Sequence, residues 1–259
     1  MKDLMTSQFS AIALQDIGEI AAGDDLCRIV GDGIERAGAG ILAGDIVVVA
    51  QKIVSKAEGR MVALDAIAPS ARAIELAAIT RKDARVVELV LSESAEVMRA
   101  VPEVLIVRHR LGHVMANAGI DRSNLLPGDA PASALLLPVD PDASAAALRA
   151  GLAARFGVAP GVVVSDSFGR AWRIGTVNVA IGVAGLPVIV DRRGERDRHG
   201  RILEATEIAF ADTVAAAAGL AMGEAAEGTP AVLLRGLRWP ESDQPARAAL
   251  RPADKDLFR

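Results

Sequence analysis

The chain has 259 residues, 51% of them hydrophobic and 24% charged, which excludes a disordered tail and a collagen-like fibre and suits one or two globular domains. Its 29 basic and 33 acidic residues leave a net charge of -4, and aromatic residues make up 3% with no tyrosine. Neither a basic field nor a stacking platform recommends nucleic acid as a partner, so small molecules are the better expectation.

Cys27 is the sole cysteine, which excludes an intramolecular disulfide and any CxxC metal site. The first twenty residues mix Lys2, Asp3, Gln8, Gln15 and Asp16 with apolar positions and lack the apolar core of a signal peptide. No apolar run reaches the roughly 18 residues of a spanning helix, so a cytoplasmic protein with no membrane partner is expected.

In chain order, Asp24 and Asp25 cap a helix carrying Leu26, Ile29, Val30 and Ile34, which Gly38 and Gly40 end. Asp45 leads into Ile46–Ala50, a β-branched run suited to a strand buried on both faces, and residues 51–60 then turn polar. Residues 70–82 and 83–92 read as helices and 104–107 as a strand. Asp140 with Pro141 opens an alanine-rich helix that runs to about Phe156. Residues 162–164 and 188–190 read as strands closing on Asp166 and Asp191, residues 204–222 as a long helix, and 231–234 as a last strand. Helices and strands mingle without strict alternation, so the fold class is α/β, or α+β, with mixed sheets. Residues 117–128, followed by Pro131 and Pro138, are the best linker candidate, and residues 238–259 form a polar tail.

Several familiar chemistries are excluded. There is no GxxxxGK[ST], HExxH, GxSxG or Cys/His nucleophile arrangement. Gly38-Ala39-Gly40 follows a helix instead of a strand, which argues against a dinucleotide fingerprint. His109, His113 and His199 are too dispersed for a zinc site and read as structural or surface residues.

Four polar segments carry candidate chemistry, each with a plainer alternative. Gln51-Lys52-Ile53-Val54-Ser55-Lys56 leaves a buried strand, so a rigid scaffold can aim Ser55 and Lys56 at a ligand, Lys56 as a point charge for phosphate; a polar turn closed by Gly59 is the alternative. Asn117, Asp121, Ser123 and Asn124 crowd oxygen atoms around Gly119, which suits magnesium, manganese or a purine edge, or simple Asx turns. Ser165, Asp166 and Ser167 precede Arg170, Trp172 and Arg173, where metal and phosphate can meet, unless this is a solvated strand end anchored by Trp172. Met222, Gly223, Glu224, Ala225, Ala226, Glu227, Gly228 and Thr229 offer two freed glycine backbones and two carboxylates, or a plain helix cap. Asp191, Gly194, Asp197 and Gly200 read as a charged hairpin more readily than as a calcium loop. Together, Asp121, Asp166 and Glu224 with Lys56, Arg170 and Arg173 point to metal-assisted phosphate chemistry.

At these segments the chain resembles the coenzyme F420:L-glutamate ligase family, the gamma-glutamyl ligases that extend a deazaflavin cofactor. The resemblance covers nearly the whole chain: Gly23-Asp24-Asp25-Leu26, Ile53 to Gly59, Ala116 to Asn124, Asp166-Ser167-Phe168-Gly169-Arg170 with Trp172-Arg173, Met222-Gly223-Glu224 with Glu227-Gly228, and Asp256-Leu257-Phe258-Arg259. It implies a GTP-dependent ligase with an intertwined two-part α/β fold, working as a homodimer on the precursor F420-0 and L-glutamate. One gamma-glutamyl ligase domain would fill residues 1–259, with two subdomains dividing near 117–140 and no nitroreductase-like domain.

Carried over by position, Asp121 and Asp166 would hold one divalent cation, Mg2+ or Mn2+, and Ser167 with Glu224 a second; potassium is a candidate monovalent helper. GTP would meet Lys56, Asn124, the loop from Met222 to Thr229, and the backbone of Leu14, Gln15, Asp16 and Ile17, with Gln51 and Lys52 beside Lys56. Gln15 stands where family members often have proline, and Ala226 where an aspartate is common. The family's reaction converts a carboxylate of the precursor to an acyl phosphate, which the amine of glutamate displaces; further glutamates would join through the γ-carboxylate. Chemistry alone adds Arg170 and Arg173 to Lys56 as stabilisers of the transferring charge. An amide ligase for another phosphorylated acceptor, and a non-catalytic nucleotide- and metal-binding module, are the competing expectations.

Overall fold

In the computed structural model, which describes residues 8–123 and 133–256, the chain opens with β1 (Ser10–Ala13), α1 (Leu26–Arg36), β2 (Ile46–Ala50) and α2 (Gln51–Ala57). There follow β3 (Met61–Ala63), α3 (Ala71–Thr80), α4 (Ala84–Ser92), β4 (Ser94–Val101), β5 (Val104–His109), β6 (Val114–Ala116) and β7 (Ser133–Leu135). The last part holds α5 (Pro141–Phe156), β8 (Gly161–Gly169), β9 (Thr176–Ala184), β10 (Ile189–Asp191), β11 (Glu207–Ala209), α6 (Phe210–Met222) and β12 (Ala231–Arg235).

The largest sheet has the order β1-β12-β2-β8-β9, with β2 and β8 parallel and the other neighbours antiparallel. Its β-branched strands are buried on both faces because side chains alternate across the pleat. Val47, Val49, Val162 and Val164 pack against Val30 and Ile34 of α1 and Leu148 and Leu152 of α5. Ile46, Val48 and Val163 pack the other way, against Val214, Ala215 and Ala218 of α6. The small residues of α6 let it lie close to the sheet. A third core, with Leu76, Val87, Val90, Leu105 and Val107, sits between α3, α4 and the sheet β4-β5-β6. The mixed α/β class expected from the sequence is therefore the observed one.

The caps fall where the sequence places them. Asp25 accepts from the Arg28 N–H at the start of α1, and Asp140 accepts from the Ala143 N–H before Pro141 at the start of α5. At the start of β2, Asp45 is 1% exposed and takes a forked ion pair from Arg235 at the end of β12, Nη2 to Oδ2 being 2.6 Å.

Three expectations need correction. Residues 51–57 form a helix and not a polar turn: Ile53 and Val54 bury one face, while Ser55, expected to face a ligand, is fully buried and donates to Gln51 Oε1 at 2.8 Å. Helix α6 begins at Phe210, because residues 207–209 pair with β10 instead. Val162 to Val164 is only the start of β8, which continues past Asp166 to Gly169 in partnership with β9. Of the expected linker, Asn117 and Ala118 adopt φ of 52° and 54°, and Asp121 exchanges both backbone hydrogen bonds with Leu135; residues 124–128 lie outside the described residues. Among the described residues no helix is long and apolar enough to cross a membrane.

Candidate active site

The parallel pair β2 and β8 ends on one side of the sheet, and there the chain leaves a cavity of about 400 Å³. The carboxyl ends of parallel strands are where α/β sheets commonly bind ligands, because the loops diverge there. Four segments wall it: residues 17–20; Ala50, Gln51, Lys52, Ile53 and Lys56; Ser165, Asp166 and Ser167 with Asn178; and residues 222–230. Three of the four polar segments singled out in the sequence thus meet at one place.

Carboxylates crowd this end of the sheet. Burial, then the negative charges of Asp121 and Glu224, push the pKa of Asp166 up to about 7, against the Ser167 N–H and the Lys52 ammonium, which lower it. Burial would also raise Asp121, but Lys52, at 2.6 Å from its Oδ2, and the Ser123 N–H, at 2.7 Å from Oδ1, hold it below the usual carboxylate range. Asp121 itself stands beside the cavity lining, joined to it through Lys52.

Such a donor set fits a divalent cation. Among the described residues no three acidic, histidine or cysteine side chains are grouped so as to hold a metal ion by themselves, so a cation here would need neutral oxygens as well. Paired carboxylates with neutral oxygens leave positions for water and phosphate, the usual arrangement for Mg2+ in phosphoryl-transfer sites.

The lysines and the 222–230 loop supply the opposite charge. Lys56 lies in the last turn of α2, 12% exposed at its side chain, with Nζ 3.2 Å from Glu19 Oε2. The loop leaves α6 at Gly223, whose φ of 75° would strain any other residue, and the Glu227 carboxylate folds over it. Thr229 ties the loop back by donating to the Met222 carbonyl at 2.7 Å. Within the loop Glu227 Oε2 accepts from the Ala225 N–H at 2.8 Å, which lowers the Glu227 pKa. One backbone N–H of the loop thus already holds an anionic oxygen, that of Glu227.

Other expected site residues lie elsewhere. Leu14 is fully buried, and Leu14, Gln15 and Asp16 lead to the cavity without lining it; Asp16 has φ of 57° and its carbonyl accepts from Arg36. Arg170 and Arg173 sit in the exposed turn between β8 and β9, outside the lining, and Trp172 beside them is 87% exposed and not the core anchor considered as an alternative. Asn124 lies outside the described residues. Sequence reading missed Glu19, which pairs with Lys56, and Asn178, whose only signal is an amide within an apolar strand.

The sequence profile of the F420-0:Gamma-glutamyl ligase family matches residues 15–236, a span that holds every wall of the cavity. The chain is 44% identical to the coenzyme F420:L-glutamate ligase of Methanothermobacter thermautotrophicus over 252 residues, covering 96% of this chain and 98% of the relative. It is 45% identical to the protein of the same name from Methanopyrus kandleri over 246 residues, covering 93% and 94%. The Haloarcula marismortui protein of that name is 44% identical over 229 residues, covering 86% and 85%.

Proposed function

The chain belongs to the F420-0:Gamma-glutamyl ligase family, and we propose that it joins L-glutamate to the deazaflavin precursor F420-0 at the expense of GTP. The observation that carries this reading is the meeting, in one cavity at the strand ends, of Asp166, Glu224, Lys52, Lys56 and a loop that already holds an anionic oxygen on a backbone N–H.

The chemistry of amide formation requires such a set. A carboxylate is a poor electrophile and its oxygen a poor leaving group. In the proposed first step a carboxylate oxygen of F420-0 attacks the terminal phosphorus of GTP, giving an acyl phosphate and GDP. The amine of glutamate then attacks the acyl carbon, phosphate leaves with the former carboxylate oxygen, and the amine gives up its proton. A second glutamate would enter through the γ-carboxylate of the first.

Lys52 and Lys56 place positive charge against the phosphates, and the backbone of residues 223–228 orients them. Asp121 and Asp166 would hold one divalent cation, and Ser167 and Glu224 a second. Mg2+ or Mn2+ bound there would neutralise charge on the transferring phosphoryl group. Arg170 and Arg173 lie outside the lining, so the lysines take the charge-stabilising role here. A homodimer belongs to the same proposal: Trp172 and Ile174 in the β8–β9 turn expose apolar side chains that a second copy would cover.

The test is GDP release by the purified protein with GTP, Mg2+ or Mn2+ and L-glutamate, with and without F420-0, read with the mass of the deazaflavin. Precursor-dependent GDP release with a glutamyl mass gain is expected. GTP binding without glutamyl transfer would leave a nucleotide-binding module, and transfer to a different acceptor would make the chain a ligase of other specificity.

A further inference from the structure

Asn178 has no role in the chemistry above, yet it lines the same cavity from within the apolar strand β9. It is the register partner of Ser167 across β8 and β9. Directly opposed residues of antiparallel strands point to one face, with β-carbons about 4.5–5.5 Å apart, so the two side chains stand side by side in the cavity wall. Helix α6 makes room on that face: a β-carbon on Gly219 would lie 3.0 Å from Cγ and Nδ2 of Asn178, and Nδ2 faces the Met222 sulfur at 3.9 Å. Asn178 is 7% exposed, and its Oδ1 is buried without a hydrogen-bond partner. A carbonyl oxygen left so is unfavourable unless a ligand supplies its positive partner.

We propose that Oδ1 of Asn178 is a neutral oxygen ligand of the divalent cation held by Ser167 and Glu224. This rests on the two-cation reading above. Ser167 is its cross-strand partner, and Met222, which the amide faces, is two residues before Glu224. A hard cation takes about six or more oxygen ligands, which one hydroxyl and one carboxylate do not supply, and asparagine carbonyls are regular members of such sets. A carboxamide also adds an oxygen without adding to the negative charge that Asp121, Asp166 and Glu224 bring to this end of the sheet.

The test is a Mn2+ titration of the full chain with GDP present, read by electron paramagnetic resonance, together with the Mn2+-induced shift in melting temperature. Wild type is expected to bind two Mn2+. Asn178→Ala, with its circular dichroism unchanged, should keep one site and weaken the other about tenfold or more. Asn178→Asp, which returns an oxygen to the same place, should restore that site and show at least the wild-type melting shift. Unchanged titrations in Asn178→Ala overturn the proposal, as does equal weakening in both variants, which marks a packing role. A wild type that binds fewer than two Mn2+ removes the two-cation reading and this inference with it, before any substitution is made.

Discussion

The Lys52 ammonium lies 2.6 Å from Asp121 Oδ2 and 2.9 Å from Ser123 Oγ, tying the helix that leaves β2 to the segment that returns from the third core. A cation bound by Asp121 must share that carboxylate with Lys52. Lys52→Gln removes the competing charge, so Mn2+ affinity without nucleotide should rise by about fivefold, the scale of roughly 1 kcal/mol between charges at contact in water. GTP affinity should fall in the same variant, because a phosphate-facing charge is gone. Calorimetric titration of each ligand alone checks both signs, and weaker Mn2+ binding would contradict the competition.

Asp166→Asn should reduce ligase turnover at least about a hundredfold, the scale on which preorganised charge stabilisation acts. The cation-free fold should not suffer. Because burial and neighbouring carboxylates hold the folded pKa near 7, above the ordinary 3.8, the folded state resists ionisation that the unfolded chain undergoes freely, and stability falls as pH rises between those values. Asparagine removes that penalty, so the melting temperature without metal at pH 7.5 should be equal or higher. Near-normal turnover would exclude Asp166 from the chemistry.

Lys56→Ala should weaken GTP about tenfold or more while changing Mn2+ affinity little, because Lys56 pairs with Glu19, which is not one of the carboxylates assigned to the cations. An unchanged GTP dissociation constant would remove Lys56 from the phosphate contacts.

Arg235→Ala should cost about 3 kcal/mol of stability, because it leaves the almost fully buried Asp45 without its guanidinium. Urea unfolding measures this, and a loss below about 1 kcal/mol would mean that the Leu42 N–H, 2.8 Å from Asp45 Oδ2, suffices to hold the carboxylate.

His113 is 6% exposed, with its ring 6.2 Å from that of Phe168. Burial, helped by His109, lowers its pKa from 6.5 to about 4. A folded value below the unfolded one means stability that is whole above pH 6.5 and lost as pH falls toward 4. At pH 4.5 the loss from His113 alone should be on the order of 2 kcal/mol. His113→Phe should flatten the decline in urea midpoint between pH 7 and 4.5; an unchanged decline would show that His113 is not its source.

The parts of the fold legible in the sequence are those whose signals are local. Asp25 and Asp140 announce α1 and α5, and the run at Ile46–Ala50 announces the central strand. What escapes depends on distant partners. β11 is a strand only because β10 runs beside it, and the polar residues of α2 hide a helix that burial of Ile53 and Val54 decides. At the site, Glu224 and Lys56 stand out because charge at a helix end is conspicuous in sequence, and Asp166 because it interrupts an apolar β-branched run. Asn178 does not, since its meaning comes from register with Ser167 and from the space left by Gly219.

The most direct test of the ligase chemistry follows one oxygen. F420-0 labelled with 18O in its reacting carboxylate is incubated with the protein, GTP, Mn2+ and L-glutamate, and both the deazaflavin product and the released phosphate are weighed by mass spectrometry. Activation through an acyl phosphate predicts a glutamyl mass gain on the deazaflavin and one 18O in the phosphate formed with it. Glutamyl transfer with unlabelled phosphate, or GTP consumption with no glutamyl product, would contradict it.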